Sequence, residues 1–554
     1  MRFLRALGRF LLITIGIFIL ALLVLGVYVY SVSDIEPPTG IDTSATALQV
    51  REQGGLRTIE DNWIRQSRYG LYEMYTSGAP FEMGAKEGKL SAELIREQEV
   101  AFTDEIRRMI PSERYLKFLK YVVGFMNRDL PEHVTDEYKA EIYGISRAAA
   151  DSFSWIGNNY ARILNYHSAH DVGHALQNMM LVGCTSFGAW GDKSANGSML
   201  IGRNFDFWVG DAFAEHKIVS FYKPRKGHRF ASITWGGFTG VVSGMNDAGL
   251  TVTINAARSD IPFNAATPVS LVAREVLQYA GNLEEAIAIA RKREMFVSES
   301  FLVGSARDGK AVIIEKTPKE LYIYDPAGDA IQCTNHYQSK GFEQQKLNKE
   351  QKERSASVYR YQRLQELMQG AYPLTPEKMA GVLRDRRGLG NRDIGNGNEK
   401  AVNQLIAHHS IIFQPDSLRM WVSTNPWVLG EYVCYDLKKI FAMQGMSANK
   451  EIADTMRNIP ADSFLQTGEY ADFITFRKNK LALLRKERVD TAATVHANPN
   501  LYDAWRIAGD YCARQGWHSQ AIRYYREALK REVATIDERE GIQEKIQEQK
   551  ELLR

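Results

Sequence analysis

From Cys184 onward the chain reads as strands, and the strands fall into two groups separated by a pair of helices. The first group covers 199–202, 218–222, 230–235 and 250–255; the second covers 298–306, 310–316, 321–325 and 330–335. These stretches are β-branched or aromatic, alternate in places, and sit between Gly and Asp turns, which suits a pleated, half-buried surface. Helical stretches are expected at 268–279 and 283–293, and strands return at 409–413, 418–423 and 431–437. Strands on both sides of a helical pair predict two sheets packed face to face with helices outside, an α+β domain of roughly 184–445. A chain of 554 residues can bury such a core and still hold about two to four domains.

The chemistry is expected where that domain starts, at Gly183-Cys184-Thr185-Ser186-Phe187. A thiol attacks as its thiolate and is mostly protonated at neutral pH, so it needs a base. Histidine fills that role in many cysteine enzymes. An α-amino group on the same residue, titrating near pH ~8, is another solution. It requires cutting the peptide bond before the nucleophile, and Gly183 suits a strained backbone and close approach there. A lone cysteine is more often a buried, inert thiol, so the surrounding residues decide.

Those residues are the run Cys184-Thr185-Ser186, a turn at Ser194-Ala195-Asn196-Gly197, and Gly202-Arg203-Asn204-Phe205-Asp206-Phe207. Together they resemble the N-terminal-nucleophile hydrolases. Within these the chain is most similar to the branch holding acid ceramidase, N-acylethanolamine acid amidase, choloylglycine hydrolase and the penicillin acyltransferases. The likeness covers about 81–440 and is strongest at 184–207. It implies a four-layer αββα sandwich, self-cleavage between Gly183 and Cys184, and no metal or cofactor.

The resemblance also assigns roles. Arg203 would favour the thiolate and orient the substrate carbonyl. Asp206 would accept a hydrogen bond from the new α-ammonium. The bland alternative for this pair is a surface salt bridge across a hairpin. Asn255, after Asn246-Asp247-Ala248-Gly249-Leu250, and Asn335, in Cys333-Thr334-Asn335-His336, match strand-end asparagines expected in an oxyanion hole or at the substrate amide. Either could equally be a turn residue. Arg360, in Ser357-Val358-Tyr359-Arg360, matches a second arginine whose spacing varies; a solvated helix face is the alternative. His336 could serve as a base, and the resemblance argues against it.

Before the nucleophile, 10–30 is an uncharged apolar run, as a helix about 31 Å long at ~1.5 Å per residue and enough to cross a bilayer. Arg2, Arg5 and Arg9 precede it, and nothing basic follows until Arg51, which keeps residues 1–9 cytoplasmic and sends the catalytic domain to the outer face. A cleaved signal peptide is the alternative, without a small-x-small site after Tyr30. Residues 31–55 read as a linker and 56–183 as a mostly helical segment. The Gly84 and Gly88 pair reads as close helix packing or a family-like helix start. His167, His170, Asp171 and His174 fall at helical spacing, but the Glu of a His-Glu-x-x-His zinc motif is missing. The glycine- and asparagine-rich stretch 388–398 reads as a mobile loop that covers the pocket or merely connects.

After 446 the chain is helical again. Trp505, Gly509, Ala521, Tyr525 and Ala528 fit one tetratricopeptide-like unit at about 501–534, and the charged tail 537–554 reads as a solvated helix. One repeat cannot stand as a solenoid, so a hairpin packed on the core or on a protein partner is expected. The formal charge of +3, with no basic stripe, argues against nucleic acid. The four cysteines lack CxxC pairs or zinc-finger spacing. The sequence thus points to a membrane-anchored amidase of linear N-acyl amides. Still open are an acyltransferase, an inactive tethered scaffold using the hairpin, and, weakest, a metal hydrolase.

Overall fold

The computed structural model describes residues 2–110, 112–175, 183–208, 210–259 and 265–554. Two sheets dominate, in a mixed α+β fold. The larger has eleven strands, ordered Arg51–Gln53, Leu56–Ile59, Asn62–Gln66, Tyr72–Gly78, Ile218–Pro224, Phe230–Thr234, Ser243–Asn246, Leu250–Ala256, Glu299–Ser305, Lys310–Lys316 and Leu321–Tyr324. The smaller has six, ordered Ala330–Cys333, Thr185–Gly191, Gly197–Phe205, His409–Gln414, Arg419–Ser423 and Tyr432–Asp436.

Strand alternation sorts the side chains. In neighbouring strands of the larger sheet, Leu302 and Ile313 join Ile201, Ile411, Val422 and Val433 of the smaller sheet in one apolar cluster. Their neighbours Phe301, Val303, Val312 and Ile314 point the other way, onto Val272 and Leu277 of helix Val269–Tyr279 and Ala286 of helix Leu283–Lys292. Phe187, Ala189 and Leu200 likewise leave the inter-sheet layer and meet Leu364, Met368, Met379 and Leu383 of helices Ser357–Ala371 and Pro376–Leu383. A period of two thus supplies both faces of each sheet with apolar surface, at about 1.5–3 kcal/mol for each large side chain fully buried.

Residues 51–78 correct the sequence reading. They form four strands on one flank of the larger sheet, where a linker to residue 55 and then helices were expected. The strands are short, and Tyr72–Gly78 is paired in parallel with Ile218–Pro224, a partner far away in sequence. A hydrophobic period read in a local window carries no trace of such pairing. The helices follow at Pro80–Leu90, Ala92–Met109, Glu113–Met126, Asp136–Ser146 and Asn159–Ala175. Pro80–Leu90 crosses Asp136–Ser146 at near backbone contact: a Cβ on Gly84 would lie 1.9 Å from the Glu141 carbonyl oxygen. Packing is therefore what Gly84 serves. Gly84→Ala must push the helices apart, and overpacking of this kind costs about 1–3 kcal/mol; a lowered thermal unfolding midpoint checks it.

One helix, Arg2–Val32, contains a span Leu7–Val32 that is long and apolar enough to cross a membrane and is unburied. Its end meets helix Glu113–Met126 through the ring pairs Tyr28–Phe125 and Tyr30–Tyr121.

Helices Gly468–Leu484, Thr491–Ala497, Tyr502–Arg514, His518–Leu529 and Ile536–Glu551 share one further apolar cluster, which also takes in Leu405. The tail is not simply solvated, since Ile542 and Ile546 are buried in that cluster. Nor does the stretch 388–398 hang free. Asn396 Nδ2 donates to Glu469 Oε1 (2.8 Å), Asn498 Nδ2 to the Asn396 carbonyl (2.8 Å), and Asn398 Nδ2 to the Glu532 carbonyl (2.8 Å). Lys400 completes the attachment with an ion pair to Glu532 at 2.6 Å.

Candidate active site

Cys184 directly precedes strand Thr185–Gly191 and is fully buried. That strand pairs with Gly197–Phe205 so that Ser186 faces Arg203. The Arg203 guanidinium is pinned by the carbonyls of Val242 (2.7 Å) and Ile254 and by Ser243 Oγ, and its Nη2 lies 3.4 Å from Cys184 Sγ. Burial pushes the Cys184 thiol up to about 11, and the charge of Arg203 opposes that push. Among the described residues no histidine ring is bonded to the sulfur. The thiol of the intact chain therefore has a cation beside it and, among the described residues, no base hydrogen-bonded to it.

Asp206 follows the second strand. Both its carboxylate oxygens are buried without a hydrogen-bond partner among the described residues. Burial pushes the acid up to about 7, against the pull of Arg360 and Arg203. Its backbone carbonyl accepts the Gly183 N–H at 2.9 Å, so the chain just before the nucleophile runs alongside it. A buried carboxyl left unsatisfied is expensive, and such groups gather where function needs them.

Arg360 and Asn335 close the other side. Arg360 Nη2 donates to Asn335 Oδ1 and to the Cys184 carbonyl (3.4 Å), and its Nη1 to the Glu399 carbonyl (3.0 Å). Arg360 is buried, so the solvated-face alternative falls. Asn335 Nδ2 gives one N–H to the Ala256 carbonyl (2.9 Å), and its other N–H has no protein acceptor among the described residues. Asn255 is placed differently. It accepts from Ser186 Oγ (2.7 Å), and its Nδ2 donates to the carbonyls of Cys333 (3.1 Å) and Thr334 (3.3 Å). An amide nitrogen carries two N–H donors, and here both go to backbone. Asn255 ties the sheets together at the strand end that carries Asn335.

Residues without a sequence signal also reach the centre. Gln404 Nε2 donates to the Gly183 carbonyl at 2.6 Å. Ser243, which takes a bond from Arg203, is linked to His409 Nε2 (2.9 Å), and His409 to His408 (2.9 Å between Nδ1 atoms). Burial holds both imidazoles well below the usual histidine range, so they are neutral supports behind Arg203. His336 is bonded to Ser357 Oγ (2.8 Å) and held down to about 3 by burial, which leaves it a poor base.

His167 is structural: its Nδ1 meets the Ile163 carbonyl (2.8 Å) and its Nε2 accepts the Thr239 N–H (3.0 Å). The side chains of His170 and His174 lie outside the described residues, and Asp171 Oδ2 accepts the Val269 N–H at 2.9 Å. Among the described residues no group of three or more His, Cys, Asp or Glu could hold a metal ion.

The arrangement therefore joins a buried thiol, a fixed cation at its sulfur, a buried carboxyl without a hydrogen-bond partner among the described residues whose charge reaches the thiol, and an amide and a guanidinium near the next carbonyl. Residues 193–425 match the sequence profile of the acyl-coenzyme A:6-aminopenicillanic acid acyl-transferase family. The chain is 27% identical over 288 residues to an uncharacterised protein of Archaeoglobus fulgidus, covering 48% of this chain and 46% of that one. It is 20% identical over 271 residues to protein dcd1B of Dictyostelium discoideum, covering 46% and 51%. The chain thus spans about half the length of the curated relatives it matches. Two of the similar solved structures are an amidase and a hydrolase. One is an N-acylethanolamine-hydrolyzing acid amidase ortholog of Caenorhabditis elegans, with TM-score 0.30 and 19% identity, covering 42% of this chain and 93% of that one. The other is a mutant conjugated bile acid hydrolase from Clostridium perfringens, with TM-score 0.31 and 11% identity, covering 49% and 95%. The profile match begins just after the nucleophile strand and ends before the last strand of the smaller sheet, and it supports placing this part of the chain in the N-terminal-nucleophile hydrolase superfamily.

Proposed function

We propose that this is a self-processing amidohydrolase whose nucleophile and base both belong to Cys184. The carrying observation is the pairing of a buried thiol, 3.4 Å from Arg203 and with no base hydrogen-bonded to it among the described residues, with an Asp206 carboxyl that has no hydrogen-bond partner among them. Self-cleavage resolves both deficiencies at once. Sγ of Cys184 attacks the Gly183 carbonyl carbon, the C–N bond breaks as the nitrogen takes a proton, and water hydrolyses the resulting thioester. Gly183 leaves as a carboxylate. Cys184 keeps a free thiol and a new α-amine, which Asp206 would hold as its ammonium partner.

In the second reaction the thiol attacks the carbonyl carbon of a linear N-acyl amide while the α-amine takes its proton and passes it to the leaving amine. Arg203 stabilises the sulfur as its charge develops. Asn335 donates its remaining N–H to the oxyanion, with Arg360 holding the amide in place. Water releases the acyl group. Transfer to a second amine instead would make an acyltransferase, and the matched family's name keeps that reading alive. We read the two sheets with their outer helices as the αββα sandwich, and Tyr502–Arg514 with His518–Leu529 as a tetratricopeptide-like hairpin open to a protein partner.

The test is direct. A denaturing gel of purified protein should give two fragments, the second starting Cys-Thr-Ser by N-terminal sequencing; a single full-length band from protein that turns over amides sinks the proposal. A panel of N-acyl amides of graded chain length then identifies the substrate class.

The apolar N-terminal helix would hold the domain at a bilayer. Beside its exit, helix Glu113–Met126 exposes Tyr115, Phe118 and Val123 among Arg114, Lys117 and Lys120, a composition suited to lying in the headgroup layer. In a Cys184→Ala background the remaining native cysteines, Cys333, Cys434 and Cys512, are buried, so a dye on Phe118→Cys reports that surface alone. In nanodiscs its emission should shift to the blue against the same label in detergent-free, lipid-free buffer containing an amphipol.

A further inference from the structure

We propose that Gln404 is the oxyanion donor of the self-cleavage step, a role that rests on the self-processing reading above. Its Nε2 lies 2.6 Å from the carbonyl oxygen of Gly183, and both residues are buried. That oxygen belongs to the bond that would be cut. Among the described residues no other donor reaches it. Asn255 spends its amide on Cys333 and Thr334, Asn335 gives one N–H to Ala256 and none to Gly183, and Arg360 reaches the carbonyl of Cys184, one residue past the scissile bond.

The contact is built for closeness. A Cβ on residue 183 would sit 2.5 Å from Gln404 Nε2, so the amide approaches this far only over a glycine. The backbone around Gln404 is fixed on both sides. The Asn403 N–H donates to the Asp385 carbonyl (2.8 Å), the Leu405 N–H to Asn403 Oδ1 (3.0 Å), and Leu405 is part of the C-terminal apolar cluster.

When Sγ of Cys184 adds to the Gly183 carbonyl carbon, the C=O electron pair moves onto the oxygen. The existing N–H···O contact becomes charge-assisted without any reorganisation, which is the condition under which such donors lower a barrier. The same N–H also draws electrons from the carbonyl before attack. The molecule then has separate donors for two carbonyls. Gln404 serves the chain's own peptide, and Asn335 with Arg360 serves the incoming amide.

The experiment follows conversion of the freshly translated full chain into two fragments on a gel, over time and from pH 4 to 8. Gln404→Leu keeps the bulk and removes the donor, and should slow conversion about 10²–10³-fold, the usual loss for one oxyanion donor. Gln404→Glu supplies a donor only when its carboxyl is protonated. Its rate relative to wild type should therefore be low at pH 8 and rise steeply as the pH falls. A side chain that merely held the segment in place would give no such acid recovery. Wild-type conversion by Gln404→Leu, or a Gln404→Glu ratio flat with pH, overturns the proposal. If wild type itself never converts, the self-processing reading falls, a result distinguishable from either variant outcome.

Discussion

Cys184→Ala should leave the chain as one full-length band and lower amide turnover by at least about 10³-fold, as removal of a nucleophile does in comparable enzymes. Both effects follow from one atom. The sulfur is the attacking group toward Gly183 and again toward the substrate. The other cysteines do not replace it: Cys333, Cys434 and Cys512 are buried as Cys184 is, but among the described residues none of them has a guanidinium hydrogen-bonded to its sulfur. Cys184→Ser separates the two steps. A hydroxyl can still attempt the acyl shift, but Arg203 gives far less help to an alcohol than to a thiol, whose charged form is much closer to hand. Intact mass and initial rates on one N-acyl amide measure both. An inactive scaffold would turn over no amide in the unaltered chain either, and full turnover by Cys184→Ala would end the assignment of Cys184 as the nucleophile.

The next largest effect is expected at Asn335. Asn335→Leu, close in size, should cost about 10²–10³ in kcat with a smaller change in KM, because the N–H it removes acts on charge that develops after binding. It also strips Arg360 of its Oδ1 acceptor, so the guanidinium is free to swing toward Glu399 or Asp206. Asn255→Leu should behave differently. Its amide holds Cys333 and Thr334 across the gap between the sheets, so that variant should lose thermal stability first and kcat only as a consequence. Steady-state rates beside melting midpoints for the two variants decide the matter. A stable Asn255→Leu with a collapsed kcat would exchange the two roles.

The sequence carried much of this because the decisive signals are local. Strands after Cys184 alternate β-branched and aromatic residues between glycine turns, and the structure places most of them within a residue or two of the expected bounds, though Gly197–Phe205 runs longer and Ser243–Asn246 was not foreseen. Cys184, Arg203 and Asp206 sit on one hairpin, where spacing alone brings them together. The four strands at 51–78 escaped because their sheet is completed by Ile218–Pro224, far along the chain. Asn255 was recognisable as a strand-end asparagine, but the direction of its N–H groups depends on two carbonyls 78 and 79 residues away. Gln404 lies 221 residues from Gly183 and has no motif around it. An ordinary amide on a loop acquires meaning only when folding sets it against a particular carbonyl.

The bonds from Glu469, Asn498 and Glu532 to Asn396, Asn398 and Lys400 have a consequence for how this molecule can be handled and how it can be governed. The loop bearing Gln404, and the Glu399 carbonyl that braces Arg360, are buttressed from the far C-terminus. Trimming the last hundred or so residues to obtain a minimal catalytic fragment would unseat that loop. For the same reason, a disturbance of the terminal helices is passed through these bonds to the loop that carries Gln404 and to the carbonyl that braces Arg360.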